Sequence, residues 1–560
     1  VSLTRTDADP FATLVLPVYN AEGFLEATLR QVAAWLSGRD EPWELIIVDD
    51  ASRDGTARIL DAFERAHIGD AVRILRFDAN HGKGFAVRVG LDRASGRFAI
   101  FTDCDLAYPL QNIDAILSRL ADGAGAAIAN RVAPDSTYLI HPSFFSYLFT
   151  RHLMGRIFNA IGRAVAVPHL QDTQAGLKGF QSAVVKPLLP CLRMDGFSFD
   201  VELLRGLIDR GARIDEVPVA FRYDSEPSTL HFAQDALRMA RDLVRVRWRS
   251  WRGGYTSDVV PRSVIIHADD FGLAPGINRA IEEGLETGAL HSASILLGGA
   301  HAEAALAWAA SHPEFDFGVH LNLTQGRPVL AEERVPSLVD KDGRFFPLGS
   351  LLARLALGRV EPQEIVAEWR AQIAVTRGAG VRISHLDSHQ HVHLIPKIFR
   401  GAAVRLATEE HVVLRAMDGP GASSPTHPRL KEMGLAIATR LAVGRRFRHL
   451  IAARGAGIPL RDHPTLDALR AMLVEARPGD TIELVVHPGF PDEELRASGD
   501  GYREGREGER ALLVSEETRS WIRLSGFRPS DFRGSAGLAS GSGGAPQPLG
   551  DAPPNAPTSS

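Results

Sequence analysis

Two kinds of side-chain grouping in this 560-residue chain could do chemistry: a cluster of histidines, and carboxylates that follow apolar runs. Residues 385–393 place His385, Asp387, His389, His391 and His393 at alternate positions. On an extended strand alternate side chains share one face, so this spacing predicts that the Asp and several His converge on one spot. Four of the chain's 20 His fall in this short window, a density that packing alone does not explain. Imidazole and carboxylate donors suit Zn²⁺ or another divalent transition metal, and Mg²⁺ less well. Asp269 and Asp270 end another apolar run, and His320 ends a third. A lone His is more often structural, but its place at a strand end beside the cluster makes His320 a candidate ligand. His487 sits in a turn after the apolar run 481–486 and could donate a proton to a leaving group.

Asp-x-Asp, a weak clue to a metal-bound nucleotide diphosphate, occurs at Asp7/Asp9, Asp103/Asp105 and Asp340/Asp342. Only Asp103 and Asp105 follow an apolar run, 97–102, which puts them at the carboxyl edge where open parallel sheets bind ligands. Asp49 and Asp50 also end an apolar run, with Ser52, Asp54 and Gly55 after them. Helix capping accounts for such carboxylates as well, most readily for Asp54. Asn80, Gly82, Lys83 and Gly84 form a Gly-rich turn at a helix start, able to approach phosphate closely.

The elements that must position these groups are short apolar runs alternating with amphipathic helical patterns. Runs at 13–18, 44–50, 72–77 and 98–103 interleave with helical patterns at 22–36, from 56, and at 84–94. This predicts a parallel sheet covered on both faces, an α/β fold of Rossmann-like type. A second β-α series follows at 263–267, 292–297, 315–323, 381–393, 412–417 and 481–487. The expected organisation is a first domain at 1–252, a linker at 253–261, a second domain at 262–533 and a disordered Gly/Ser/Pro/Ala tail at 534–560.

The net charge of -5 gives no basic footprint, which argues against nucleic acid as a partner. Cys104 and Cys191 are the only cysteines, too few for a disulfide framework and consistent with reduced thiols in a cytoplasm. No secretory-signal pattern and no run of about 18–20 apolar residues appears. Residues 143–149 and 153–161 mix aromatic and aliphatic residues with Arg151, His152, Arg156 and Arg163. Such a pattern describes an interfacial amphipathic helix, and so peripheral contact at the inner face of the cell membrane. A buried core helix with snorkelling Arg accounts for it too.

Taken in order, the first block resembles the family 2 glycosyltransferases, which have a GT-A type nucleotide-sugar-binding sheet. The likeness runs over about residues 10–230, through 15–20, 47–50, 80–84, 102–106, 171–180, 197–204 and 214–219. The later segments look like the polyprenyl-phosphate (dolichyl-phosphate) hexosyltransferase branch. That resemblance implies that Pro17, Tyr19, Glu22 and Asp49 hold the nucleoside, with Asp50 beside them. Asp103 and Asp105 would bind Mg²⁺ or Mn²⁺, Arg131 would contact phosphate, and Gln171, Asp172, Gln174 and Lys178 would line the sugar and acceptor end. A lipid phosphate acceptor is already ionised and needs little general base, so inversion by direct displacement follows. Ala107 stands where some mannosyl relatives have a metal-contacting Gln, which weakens mannose as the donor sugar.

The second block, about 262–530, resembles the YdjC family of carbohydrate deacetylases, which includes chitooligosaccharide and hopanoid-associated deacetylases. The family fold is a distorted or incomplete (β/α) barrel. The resemblance implies that Asp270, His320 and His389 bind Zn²⁺ or Mg²⁺, that Asp269 takes the proton of the attacking water, and that His487 protonates the leaving amine. The roles of Asp269 and Asp270 could be exchanged, and His391 and His393 are supporting or substrate-contacting candidates. His267 stands where relatives often have Asn.

The reading is therefore a bifunctional enzyme. One part moves a sugar such as N-acetylglucosamine from a nucleotide-sugar to a lipid-linked or hopanoid-type acceptor. The other removes an N-acetyl group from a sugar. In the competing reading the first domain is a non-catalytic membrane or glycan docking module and the second a metal-dependent phosphoesterase.

Overall fold

The computed structural model describes residues 10–533 apart from 68–70, 141–166, 168–169, 197, 224–231, 257–261, 418–429, 445–446, 457–459, 461–463, 474–475, 477–478, 498–501 and 503–504. The amphipathic segments at 143–149 and 153–161 and the tail from 534 lie outside the described residues. The chain forms two compact units: Val1–Val259 with Glu516–Gly526, and Val260–Ser515 with Phe527–Ser560. The sequence places 516–526 in the second domain, but the helix Glu516–Leu524 packs in the first unit. Its partners His81 and Asp92 lie 436 and 431 residues away in sequence, and no local pattern encodes such a contact.

In the first unit β1 (Ala12–Val18), β2 (Trp43–Asp49) and β3 (Val72–Arg76) pair in parallel, and β4 (Phe98–Phe101) lies on the other side of β1. The remaining strands are β5 (Ala126–Asn130), β6 (Thr137–Ile140), β7 (Lys178–Gln181), β8 (Ile214–Pro218) and β9 (Ala220–Tyr223). The sheet order is β3-β2-β1-β4-β7-β5-β8, while β6 and β9 form a separate pair. The expected parallel sheet is present with one exception, β7, which runs antiparallel to both β4 and β5. All seven residues of β1 and of β2 are buried, as strands covered on both faces must be. The helix Leu25–Ser37 buries Leu25, Leu29, Val32 and Leu36, a stripe at helical spacing against that sheet. From β1 the chain winds to β2 and β3, then crosses back to β4. The carboxyl ends of β1 and β4 therefore flank the crevice where open α/β sheets take ligands.

The second unit contains β10 (Arg262–Phe271), β11 (Ser292–Ile295), β12 (Phe317–Leu321), β13 (Ile383–Ser388), β14 (Val413–Leu414), β15 (Arg454–Ala456), β16 (Thr481–Val486) and β17 (Phe527–Pro529). Their order is β14-β13-β12-β11-β10-β16-β15, with β17 beside β10, and every pairing is parallel. Beside the edge strands β14 and β15 the chain makes one parallel bridge, Leu414 to Ile451, and one bond, Gly455 N–H to the Ala416 carbonyl (2.7 Å). The sheet is an incomplete barrel.

Several glycines mark where elements press together. A Cβ on Gly90 would lie 2.2 Å from Val15 Cγ1 in β1, whereas one on Gly349, in the helix Leu348–Ala356, would meet nothing within 4 Å. Gly90→Ala should therefore lower stability by about 1–3 kcal/mol through overpacking. Gly349→Ala should be neutral or stabilise by about 0.5–1 kcal/mol. Thermal melts of the two variants beside wild type check the pair, and equal midpoints would contradict the packing at Gly90.

Candidate functional site

In the first unit the loops after β1 and β2 are laced together by side chains. Asn20 N–H donates to Ser52 Oγ (2.9 Å) and Asn20 Oδ1 accepts from Arg53 N–H (2.8 Å). Glu22 accepts from Gly55 N–H (2.9 Å), and Asp49 accepts from Ser52 N–H (3.1 Å) and Oγ–H (2.6 Å). Tyr19 is exposed beside them, and Pro17 is buried in β1. Asp50 turns the other way. Its carboxylate accepts from His81 N–H (2.8 Å), Gly82 N–H (2.7 Å) and Asn80 Nδ2–H (3.0 Å), holding the Gly-rich turn before the helix Lys83–Arg93. Burial nonetheless outweighs those bonds and raises the Asp50 carboxyl above its usual value.

Lys83, first residue of that helix, pairs with Asp103 at 2.5 Å. Asp103 follows β4 and is half-buried, while Asp105 is exposed. A Cβ at Gly176 would fall 1.9 Å from Asp103 Oδ2, so only glycine lets that carboxylate lie against the 171–178 segment. Two carboxylates beside a lysine fit Mg²⁺ or Mn²⁺, which take one or two protein carboxylates and complete their shell with phosphate oxygens and water. Arg131 is held bidentately by Asp172 (2.7 and 2.9 Å), and Gln171 Oε1 accepts from Asn130 Nδ2–H (3.2 Å). Gln174 carries a buried side-chain Nε2 without a hydrogen-bond partner. Lys178 is fully buried with its ammonium on Asp200 (2.7 Å), and burial lowers its pKa. It supports this segment from within.

In the second unit every candidate sits at a strand's carboxyl end, the face where barrels of this kind place chemistry. Successive strand residues normally face opposite sides, yet Asp269 and Asp270 reach the same site. The β10–β11 register shifts between Ala268 and Phe271, and Asp270 adopts φ 69°, an uncommon value outside glycine. Asp270 Oδ1 lies 3.2 Å from His389 Nδ1 and 3.6 Å from His320 Nε2, so these three residues gather donor atoms at one point. His320 is paired in register with Asp387 on β13, whose Oδ1 takes its Nδ1 at 2.9 Å and leaves Nε2 facing the other two donors. A carboxylate behind a ligating imidazole fixes tautomer and ring orientation, so the donor set fits a divalent transition metal.

Residues 385–393 do not present one strand face, contrary to the alternating-position expectation. β13 ends at Ser388, and Gln390 and His391 take φ 55°, so the strand breaks into a tight turn. Convergence comes from this turn and from the neighbouring strands, not from one strand face. His385 packs on Phe532 (ring centroids 4.0 Å) and against Gly318, apart from the three donors. His393 is bound by Ser388 Oγ (2.6 Å) and the Arg415 carbonyl (3.2 Å), and burial lowers it to about 4. Burial lowers His391 to about 3, and its Nδ1 has no hydrogen-bond partner.

Two arginines escaped the sequence reading. Arg415, just after β14, is fully buried among Asp269 (2.7 and 2.8 Å), Asp387 (2.7 Å) and Glu483 (2.6 Å). Arg506, on the helix Gly505–Val514, holds Asp270 at 2.7 Å. Burial raises these acids, but Arg415 at Asp269 and Asp387, and Arg506 at Asp270, outweigh it and hold all three well below the usual range. The one available signal was a charge ending the apolar run 412–414; Arg506 lies in a polar stretch with none. His487 Nε2 stands 3.9 Å from Asp269 Oδ2.

Depressed carboxyls stabilise the fold above their unfolded value near 4, and that contribution is lost as pH falls below it. Arg415→Met leaves the acids buried without their cation, which should cost about 3–5 kcal/mol near neutral pH. Protonation relieves the stranded acids, so the gap to wild type should narrow as pH falls through about 4. Denaturant unfolding at a series of pH values checks this, and a gap that widens towards acid would contradict it.

The family model described as glycosyl transferase family 2 matches residues 13–176, and the one described as YdjC-like protein matches 263–524. The dolichyl-phosphate beta-glucosyltransferase of Drosophila melanogaster is 30% identical over 256 residues, 43% of this chain and 76% of its own. The carbohydrate deacetylase of Geobacillus stearothermophilus is 31% identical over 274 residues, 48% of this chain and 98% of its own. A solved structure of glucosyl-3-phosphoglycerate synthase from Mycobacterium tuberculosis covers 43% of this chain and 80% of its own at 19% identity and a TM-score of 0.29. The chain thus belongs to glycosyl transferase family 2 through its N-terminal part and to the YdjC-like family through its C-terminal part, a glycosyltransferase joined to a carbohydrate deacetylase.

Proposed function

We propose that the C-terminal part hydrolyses the acetamide of an N-acetylated sugar with a divalent metal, and that the N-terminal part transfers a hexose from a nucleotide-sugar to a polyprenyl-phosphate-like lipid. The observation that carries the first half is the meeting of Asp270, His320 and His389, with Asp269 and His487 at its edge. A metal held by those three would polarise the acetamide carbonyl and favour ionisation of water. Asp387 fixes the His320 ring, and Arg506 fixes Asp270. Asp269 accepts the proton of the attacking water as its oxygen bonds to the carbonyl carbon. Arg415 makes that carboxylate a poor resting place for a proton, and His487 stands 3.9 Å away to deliver one to the nitrogen as the C–N bond breaks. Acetate and a free amine are the products.

For transfer, Asp103 and Asp105 would hold Mg²⁺ or Mn²⁺ against the diphosphate, with Lys83 beside them to balance its charge. Pro17, Tyr19, Glu22, Asp49 and Asp50 lie at or after the ends of β1 and β2, where a nucleoside would sit. Arg131 would contact phosphate, and Gln171, Asp172, Gln174 and Lys178 would line the sugar and acceptor end. The relatives named dolichyl-phosphate beta-glucosyltransferase support a lipid phosphate as acceptor. Peripheral membrane contact through the segments at 143–149 and 153–161 remains part of this reading; no described helix is long and apolar enough to cross a bilayer.

A screen of nucleotide-sugars against polyprenyl phosphate, read by mass spectrometry, tests the transfer, and acetate release from N-acetylglucosamine oligomers tests the hydrolysis. Phosphate release without acetate would replace the deacetylase reading with a phosphoesterase. Asp105→Asn should abolish transfer and spare acetate release; transfer at the wild-type rate would remove Asp105 from the metal site. His320→Ala and His389→Ala should each lose metal and acetate release together. His487→Ala should keep its metal and turn over roughly 10²–10⁴-fold more slowly. Metal content measured beside acetate release separates ligands from the proton donor, and loss of metal from His487→Ala would make that residue a ligand.

A further inference from the structure

The turn that carries Lys83 is gripped from two sides. On one side Asp50 takes the backbone N–H groups of His81 and Gly82 and the Asn80 amide. On the other, Glu517 takes Asp78 N–H at 2.6 Å through Oε2 and meets the His81 ring through Oε1. Glu517 and His81 are both buried, with side chains 5% and 9% exposed. Glu517 is separated from His81 by 436 positions in sequence, yet it belongs to the first unit. The helix bearing it, Glu516–Leu524, is anchored independently by Glu516 on Arg93, by Arg523 on Asp92 (3.0 Å) and by the Leu524 carbonyl on Arg88 (3.3 Å). Those anchors hold the helix against the body of Lys83–Arg93, while Glu517 alone among them reaches the turn before it.

We propose that Glu517 is a positioning residue for sugar transfer, fixing the turn at 78–82 from its outer side so that Lys83 is set against Asp103. The proposal rests on the nucleotide-sugar reading of the first unit. The turn must hold Gly82 at φ 95° and wedge Gly84 against the Asp195 carbonyl, where its N–H donates at 2.8 Å. A backbone so constrained needs its donors satisfied. A buried N–H and an imidazole stripped of a charged acceptor relax by shifting the turn, and Lys83 moves with it. The residues that complete this half of the chemistry are thus drawn from the far end of the chain.

The test uses full-length wild type, Glu517→Gln and Arg523→Ala. Two quantities are measured: affinity for UDP and for GDP, each with Mn²⁺, and amide hydrogen exchange across 78–84 without nucleotide. Glu517→Gln should weaken binding of the preferred diphosphate about tenfold, as loss of a charge-assisted bond predicts, and speed exchange at 78–82. Arg523→Ala removes one anchor of the same helix and should leave both within about twofold of wild type. Unchanged affinity and exchange in Glu517→Gln would overturn the proposal. Equal effects in the two variants would also overturn it, by showing that helix docking as a whole is what matters. A wild type that binds neither diphosphate would instead sink the nucleotide reading, while the exchange measurement still decides whether Glu517 holds the turn.

Discussion

Asp269, Asp270 and Asp387 are buried at or near the carboxyl ends of neighbouring strands, and such acids stay ionised only when cations are buried with them. Arg415 and Arg506 supply that charge, and the arrangement of the second site depends on it. Each guanidinium offers a planar fork of donors, so Arg415 ties carboxylates from β10, β13 and β16 into one body, while Arg506 draws Asp270 to the helix Gly505–Val514. With those oxygens taken, the orientations left to Asp270 Oδ1, His320 Nε2 and His389 Nδ1 face one another.

The same constraint explains the backbone. A bulge and a positive φ at Asp270 are costly in isolation, and they persist because the bonds to Arg506 and the neighbouring strands over-determine them. The break after Ser388 has the same logic: Gln390 and His391 accept left-handed angles so that His389 can turn inward. Strain is concentrated where the donors meet.

The first unit uses a lighter version of this device. Its strand-end loops are interlocked by Asn20, Glu22, Asp49 and Ser52, and its Gly-rich turn is held by Asp50 and Glu517. Among the described residues fewer charges are fully buried, and Asp103 and Asp105 remain open to water. Gly176 gives Asp103 its room, which accounts for a glycine at that point of the 171–178 segment.

The alternation of apolar runs and amphipathic patterns determined by itself that there are two successive α/β folds, because strands covered on both faces must be apolar along their length. It also determined which carboxylates and imidazoles stand at strand ends: Asp49, Asp103, Asp270 and His320 fall where the runs stop. The sense of β7, the register shift at Asp270 and the turn at Gln390 were decided only by tertiary structure, since strand direction and backbone angles depend on neighbours that no local pattern names. Arg415, Arg506 and Glu517 were likewise invisible as single letters. A charge in a sequence reads as solvated, and only packing reveals that it has been desolvated beside a polar partner 146, 236 or 436 residues away.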